Sequence, residues 1–118
     1  MTKKSSSKKN TDFFDRVYIL VEKIPSGKVT TYGALAEACG IKSAARTVGW
    51  AMNAAHGSNL PCHRVVNRNG DLTGKFHFGN PNLMRDLLES EGVNFNEKDQ
   101  VNMKEHLWIP PKSTKRQK

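Results

Sequence analysis

The chain has 118 residues, of which 36% are hydrophobic and 25% charged, with a formal net charge of +8. A chain of this length forms one domain with one real core, and it has no apolar run near the roughly 20 residues that a membrane-spanning helix needs. The N-terminal segment MTKKSSSKKN has no apolar stretch after its lysines, so it does not resemble a secretory signal. Cys39 and Cys62 show no CxxC spacing, which gives weak support for a disulfide and fits a reducing compartment. We therefore expect a cytoplasmic protein with no membrane partner.

The positive charge is concentrated at the two ends and in the centre of the chain. Residues 1–10 and 110–118 each carry four lysine or arginine side chains and no acid, whereas residues 11–109 carry 11 bases and 11 acids. Residues 28–75 hold six of those bases and two of the acids. This distribution favours a polyanionic partner, although lysine-rich tails can also serve only to keep a protein soluble. We expect residues 1–10 and 110–118 to be disordered basic tails and residues 11–109 to form the domain.

In chain order, the first predicted element is a helix that begins after a cap at Asn10 or Thr11. The turn at residues 25–28, PSGK, ends this helix, and Val29 and Thr30 follow as a short extended segment. Apolar side chains recur within the helix at the spacing of one buried face: Phe13, Phe14, Val17, Tyr18, Leu20, Val21 and Ile24.

Two shorter helices follow in a helix-turn-helix layout. Thr31 is placed to cap a helix from Tyr32 to Cys39, which ends at Gly40. Ser43 is placed to cap a second helix, which runs from Ala44 to about Ala55.

The second helix begins with a sequence that is suited to a close approach by a partner. Arg46 is the one long charged side chain in its first turn, and the residues around it are small: Ala44, Ala45, Thr47 and Gly49. Helix pairs with small residues at their contact are also common without DNA, so the pattern alone leaves both interpretations open.

The remaining residues alternate loops with one more helix. We expect a loop at 56–61, a strand or extended segment at 62–67, a tight turn at Asn69-Gly70 and a loop with glycine hinges at 73–79. Asn80 is placed to cap a helix that starts at Pro81 and ends at Gly92, with Leu83, Leu87 and Leu88 as its buried stripe. Residues 93–109 close the core with a short extended piece. The fold class is a mainly α, winged-helix-like helix-turn-helix domain with short strands.

The segment LPCHRVV, residues 60–66, contains a candidate nucleophile, Cys62, beside a histidine. A cysteine reacts as thiolate, and a nearby imidazole that is oriented by a carboxylate can activate it. His63 is adjacent to Cys62, and the acidic residues of the last helix, Asp86, Glu89 and Glu91, can supply the carboxylate. A lone cysteine is more often a small buried apolar residue. A zinc site built from Cys62, His63, His56 and His77 fits no standard ligand spacing.

Together these segments resemble the O6-alkylguanine-DNA alkyltransferases. The order KVTTYGALA, AARTVG, PCHRV and LLESEGV is similar to that family from about Val17 to Val93. The resemblance implies a helix-turn-helix protein that binds double-stranded DNA through the minor groove, rotates an alkylated guanine out of the stack and acts without a cofactor. A monomer is the state that the resemblance implies.

The resemblance also assigns roles to individual residues. It implies that Cys62 accepts the alkyl group, that His63 acts through a water and that Glu91 orients His63. It further implies that Tyr32 presses on the phosphate beside the target and that Arg46 fills the gap in the duplex. We expect further DNA contacts from Thr31, Ser43, Ala44, Ala45, Thr47 and Gly49, and a base pocket formed by Pro61, Trp50, Lys75 and Phe76. Arg64 has a structural role on this interpretation, and no residue is expected to bind a metal.

Departures from the family pattern leave three functions open. Ala55 lies where the family has an asparagine hinge, Lys75 and Phe76 replace a tyrosine and a serine, and Met84 lies near the place of a lysine. Together with the ending HLWIPP, these differences resemble the alkyltransferase-like branch, which implies lesion binding without transfer and recruitment of nucleotide excision repair proteins. In that branch the cysteine is typically replaced, whereas this chain retains it. The hypotheses are therefore a single-turnover alkyltransferase, a lesion sensor and a plain helix-turn-helix DNA-binding module, in that order.

Overall fold

The first helix, α1, spans Lys4–Glu22 in a computed structural model that describes residues 4–112, with side chains from residue 12 onward. The predicted cap at Asn10 or Thr11 is wrong, because no proline or glycine interrupts residues 4–24 and lysine is a good helix former. Residues 4–10, which we expected in the disordered tail, form the first turns of this helix. Residues 1–3 and 113–118 lie outside the described part of the chain. Most of the predicted apolar face of α1 is confirmed, since Phe13, Val17, Leu20 and Val21 are at most 8% exposed. Phe14 and Tyr18 are partly buried against the same core, and Ile24, which is buried, follows the end of the helix.

The helix-turn-helix consists of α2, Tyr32–Ala38, and α3, Ala45–Ala55. The predicted cap at Thr31 is confirmed, because its Oγ1 accepts a hydrogen bond from the Ala34 N–H at 2.9 Å. The predicted cap at Ser43 is wrong. Ser43 lies inside a 3-10 turn, Lys42–Ala44, which leads directly into α3 without a side-chain cap.

A small parallel sheet joins the two halves of the chain. Strand β1, Thr30–Thr31, pairs with β2, Val65–Val66, in the register Thr30 to Val65. Val29, just before β1, also pairs with Leu107 in parallel. The expected extended piece near the C-terminus is therefore present at Leu107, after the short helix α5, Met103–His106.

Helix α4, Leu83–Ser90, starts two residues later than predicted. Asn80 Oδ1 accepts a hydrogen bond from the Asn82 N–H at 2.8 Å and so holds the turn that precedes the helix. The buried stripe is Met84 and Leu88, whereas Leu83 is 38% exposed. The predicted stripe is therefore wrong at Leu83, because residues four apart share a helix face and Met84 supplies that partner.

Two other segments are tighter than predicted. The predicted extended segment at 62–67 is confirmed only at strand β2, Val65–Val66, because Cys62–Arg64 form a 3-10 turn, and Lys75–Phe78 form a second 3-10 turn within the predicted loop. The predicted turn at Asn69-Gly70 is confirmed by the hydrogen bond from the Gly70 N–H to the Asn67 carbonyl. Gly70 is required there, because its φ is +89° and an added Cβ would lie 2.7 Å from the Val101 carbonyl oxygen.

The core has two parts on either side of the sheet. The larger part packs α1 against α2 and α3, and the smaller part packs α4 against Val29, Val66 and Val101. This arrangement confirms the predicted mainly α, helix-turn-helix fold with short strands. Among the described helices, none is long and apolar enough to cross a bilayer.

Candidate functional site

Cys62 begins the 3-10 turn that ends just before β2, and its side chain is 8% exposed. The turn is held by the Cys62 N–H, which donates to the Leu60 carbonyl at 2.8 Å, and by the Arg64 N–H, which donates to the Pro61 carbonyl at 3.0 Å. Burial raises the pKa of the Cys62 thiol, and a backbone hydrogen bond only partly opposes this effect. At neutral pH the resting side chain is therefore a protonated thiol.

The carboxylate of Glu91 lies at the end of α4 and gathers three partners. His63 Nε2 lies 2.8 Å from Glu91 Oε2. The Arg64 guanidinium donates to both carboxylate oxygens, with Nε at 3.0 Å from Oε1 and Nη2 at 2.6 Å from Oε2. The Gly27 N–H also donates to Oε1, at 3.3 Å. We call His63, Arg64, Glu91 and the Gly27 N–H the Glu91 cluster.

The Glu91 cluster explains the ionisation of its carboxyl group. Burial acts to raise the pKa of Glu91, but hydrogen bonds from Arg64, His63 and the Gly27 N–H outweigh it and lower the pKa from 4.5 to about 2. Glu91 is therefore an anion that can orient the His63 ring. Arg64, interpreted from the sequence as structural, also donates through Nη1 to the Ile24 carbonyl at 2.8 Å and so links the segment after α1 to the cluster.

A cavity of about 540 Å³ opens beside Cys62 and His63. We call it the inner cavity. Its wall includes the imidazole rings of His56 and His77, whose centroids are 5.4 Å apart. Neither residue is among the base-pocket residues predicted from the sequence. The remaining lining residues are Gly57, Ser58, Leu60, Phe78, Gly79 and Leu87.

None of the four predicted base-pocket residues lines the inner cavity. Pro61 lies in the backbone turn before Cys62, and Trp50 lies on a separate groove. Lys75 and Phe76 line a third cavity, of about 650 Å³, on the side of Arg85 and Asp99. The 3-10 turn at 75–78 causes this difference, because it directs His77 and Phe78 rather than Lys75 and Phe76 toward Cys62.

A shallow groove of about 420 Å³ crosses the exposed face of α3. We call it the outer groove. It contains four of the predicted DNA-contact residues, Tyr32, Ala45, Arg46 and Gly49, and it also contains Trp50, which is 59% exposed. The remaining lining residues are Asn53, Thr73, Gly74 and His77.

The other predicted DNA contacts lie beside the outer groove rather than on it. Thr31 is engaged as the cap of α2, Ser43 and Ala44 belong to the 3-10 turn, and Thr47 is half-buried in α3. His77 lines both the outer groove and the inner cavity. The two concavities therefore meet at one side chain.

The four residues considered and set aside as zinc ligands do share the inner cavity, since Cys62, His63, His56 and His77 all line it. Within the described part of the chain, however, no three histidine, cysteine or acidic side chains are arranged to hold a metal ion.

Residues 12–93 match the family model of the 6-O-methylguanine DNA methyltransferase, DNA binding domain. The chain belongs to this family. The match includes α2, α3, Cys62 and Glu91, so the helix-turn-helix and both concavities are parts of the methyltransferase DNA-binding domain.

Two curated relatives align with most of this chain. Alkyltransferase-like protein 1 of Schizosaccharomyces pombe is 36% identical over 104 residues, which cover 84% of this chain and 96% of the relative. The DNA base-flipping protein of Escherichia coli is 41% identical over 105 residues, which cover 85% of this chain and 77% of the relative.

Solved structures of the S. pombe protein and of one further relative share the fold. S. pombe Atl1, in complex with damaged DNA that contains O6-carboxymethylguanine, superposes with a TM-score of 0.73 at 37% identity, covering 85% of this chain and 97% of that one. Mycobacterium tuberculosis OGT, in complex with DNA, superposes with a TM-score of 0.59 at 41% identity. That alignment covers 68% of this chain but only 49% of the M. tuberculosis protein.

Proposed function

We propose that this protein binds double-stranded DNA containing O6-alkylguanine, turns the damaged base out of the duplex and transfers the alkyl group to Cys62. The observation that carries the proposal is the junction of the outer groove with the inner cavity at His77. A duplex that lies against Tyr32 and Arg46 places an extruded nucleotide at the mouth of the inner cavity. This cavity contains the thiol of Cys62, the cysteine of the PCHRV segment. Base extrusion of this kind is how proteins reach atoms inside a duplex.

The volume and chemistry of the inner cavity suit a purine. Its 540 Å³ lies within the range of small-molecule sites, and Leu60, Phe78 and Leu87 supply apolar contacts. The cysteine lies on its wall beside His63. An alkyl group on the guanine O6 atom can therefore be directed at the sulfur while the ring packs against the apolar side.

The proposed transfer is a single displacement. The Cys62 thiol gives its proton, through a bridging water, to His63, which the Glu91 carboxylate orients and whose positive charge it stabilises. The sulfur attacks the alkyl carbon, an S–C bond forms, and the C–O6 bond breaks with its electron pair remaining on the base. The proton from His63 ends on guanine N1, so the products are an S-alkylcysteine and normal guanine. Because a thioether is not reversed, each molecule acts once.

Intact-protein mass spectrometry tests the transfer. The wild-type protein, incubated with a duplex that contains O6-methylguanine, is expected to gain one methyl group in place of one hydrogen. Cys62→Ser is expected to gain nothing. Cys39→Ser is the matched control, because Cys39 is also a buried thiol whose pKa burial raises, and it is expected to be methylated as fully as the wild type.

A lesion sensor without transfer is the second candidate. Two observations favour it: burial raises the pKa of Cys62, and the chain is 36% identical to an alkyltransferase-like protein over 84% of its own length. In this role the bound lesion is presented to nucleotide excision repair proteins. An unchanged mass together with selective binding of the O6-methylguanine duplex in a gel shift would identify the sensor, and binding that ignores the lesion would contradict both candidates.

A further inference from the structure

His106 is a buried side chain, 7% exposed, at the end of the short helix α5. Both of its ring nitrogens contact the main chain. Nδ1 lies 3.0 Å from the Gly27 carbonyl oxygen, and the Asn94 N–H donates to Nε2 at 3.0 Å. Glu105 Oε1 lies 3.7 Å from Nε2, which is beyond hydrogen-bond distance. Because a carbonyl oxygen only accepts and an amide N–H only donates, these contacts require a ring that carries its proton on Nδ1 and leaves Nε2 free to accept.

The two main-chain partners of His106 lie on either side of Glu91. The Gly27 N–H donates to Glu91 Oε1 at 3.3 Å, and Asn94 follows Glu91 by three residues in the segment after α4. The position of Gly27 is also restricted by its backbone, because its φ is +88° and an added Cβ would lie 3.2 Å from the Glu91 carbonyl oxygen. His106 therefore joins the turn that donates to the Glu91 carboxylate to the segment that follows Glu91.

The ring of His106 makes an attachment that its main chain does not make. The Val29 N–H donates to the His106 carbonyl at 3.0 Å, and the Trp108 N–H donates to the Val29 carbonyl at 2.7 Å. These bonds hold residue 29, whereas the ring holds Gly27, whose N–H faces Glu91. Loss of the ring contacts would therefore leave the main-chain bonds to Val29 in place and release the Gly27 turn.

We infer that His106 is a positioning residue that holds the Gly27 N–H against the carboxylate of Glu91. That carboxylate in turn orients His63. The other two donors to the carboxylate, His63 and Arg64, belong to one 3-10 turn, so the Gly27 N–H ties it to a second segment of the chain. His106 lines neither the inner cavity nor the outer groove, and it acts through Glu91 rather than on the DNA.

The orientation of His63 decides which of its nitrogens can accept a proton. Its Nε2 lies 2.8 Å from Glu91 Oε2, so a neutral His63 carries its proton on Nε2 and leaves Nδ1 to accept. In the proposed transfer, Nδ1 then receives the Cys62 proton through the bridging water. A carboxylate that is held less firmly allows the other tautomer, which has no free Nδ1 and cannot take that proton. The effect on the rate therefore rests on the proposed transfer, whereas the contacts of His106 belong to the free protein.

Nitrogen NMR of the wild-type protein with isotope-labelled histidines, at neutral pH and without DNA, tests the contacts directly. We expect His106 to carry its proton on Nδ1 and His63 to carry its proton on Nε2. A proton on Nε2 of His106, or protons on both of its nitrogens, would overturn the inference without any substitution.

Two substitutions test the consequence for the site. His106→Leu removes both ring contacts, whereas the amide of His106→Gln keeps one donor and one acceptor. In His106→Leu we expect His63 to populate both tautomers. Methyl transfer from an O6-methylguanine duplex should slow by about fivefold, the effect of one hydrogen bond of ordinary strength, with the affinity for that duplex unchanged. His106→Gln is expected to retain most of the rate.

Leu72→Ala is the control for a loss of stability alone, because Leu72 is an apolar side chain of the same smaller core that packs against Val29. It is expected to lower the free energy of unfolding and to keep both the His63 tautomer and the transfer rate. Equal slowing in Leu72→Ala and His106→Leu would overturn the inference, since it would show a general effect of stability.

A double-mutant cycle with Glu91→Gln shows whether His106 acts through Glu91. In the Glu91→Gln background, His106→Leu is expected to have no further effect on the rate, and a full additional loss there would overturn the inference. A wild-type protein that gains no methyl group overturns the proposed transfer instead. The His63 tautomer in the free His106→Leu protein then decides the inference by itself, and an unchanged tautomer overturns it.

Discussion

The Glu91 cluster and the outer groove lie on the same small domain but differ in how their side chains are held. In the cluster, Arg64, His63 and Glu91 are between 13% and 18% exposed and bonded to one another. On the outer groove, Arg46 and Trp50 are exposed on one face of α3. Tyr32 is intermediate, with its hydroxyl 3.3 Å from Thr73 Oγ1.

This difference indicates that the side chains of the Glu91 cluster contribute to folding, whereas those of the outer groove contribute to binding. Charges that are bonded inside the fold stabilise it and fix geometry, and removing one partner leaves the other buried and unpaired. Exposed cationic and aromatic side chains contribute little to folding and remain available to DNA. Substitutions in the cluster should therefore change stability, and substitutions on the groove should change binding.

The largest expected effect is that of Arg64→Ala. It leaves the Glu91 carboxylate without its bidentate partner and should lower the free energy of unfolding by about 3 kcal/mol or more, measured by urea denaturation. Arg85→Ala is the matched control, since Arg85 also pairs with two carboxylates but at a more exposed position, and it should cost about 1 kcal/mol or less. Equal losses in the two variants would show that burial of the Glu91 cluster adds nothing to the cost of removing its arginine.

The pH dependence of stability tests the same cluster without removing Arg64. Because the pKa of Glu91 is lowered from 4.5 to about 2, its stabilising contribution is fully present above pH 4.5 and is lost as the pH falls toward 2. The difference in urea midpoint between the wild type and Glu91→Gln should therefore be largest above pH 5 and shrink between pH 4.5 and 2. A difference that stays constant over this interval would show that the carboxylate charge is not what stabilises the cluster.

On the outer groove, Arg46→Ala should weaken binding without changing stability. Its expected effect is about a tenfold loss, or about 1.4 kcal/mol, in affinity for a duplex with O6-methylguanine. The loss for undamaged duplex should be smaller, because a side chain that fills the gap left by an extruded base acts only where a base is extruded. Gel-shift titrations with both duplexes measure this, and equal losses would make Arg46 a simple phosphate contact.

The smallest expected effect is that of Trp50→Ala. An exposed aromatic ring beside Arg46 is suited to stacking on a base, which is worth about 1 kcal/mol at the lower end. The affinity for lesion-containing duplex should fall by that amount, while the free energy of unfolding changes by less than about 0.5 kcal/mol. A large loss of stability instead would place Trp50 with the core rather than with the groove.

Much of the local structure could be predicted because it depends on short-range rules. The apolar face of α1, the Thr31 cap and the turn at Gly70 each follow from spacing or from one residue's backbone preference. The predictions for the start of α1 and for the cap of α3 were wrong because they also relied on short-range rules. Local signals do not show where a helix continues into a polar segment or begins from a 3-10 turn. In the site, the contact between His63 and Glu91 was expected, whereas the Gly27 N–H was not.

The family, the helix-turn-helix and the residues that can carry the chemistry could be predicted from the amino-acid sequence, because they depend on the order of segments along one chain. Which side chains share a cavity became visible only in the folded protein. The 3-10 turn at 75–78 directs His77 and Phe78 to Cys62 and places Lys75 elsewhere. Glu91 similarly meets Gly27, 64 residues earlier, because the turn that follows α1 lies beside the end of α4. Such contacts depend on how elements are rotated and packed against one another, and the local sequence does not specify that rotation.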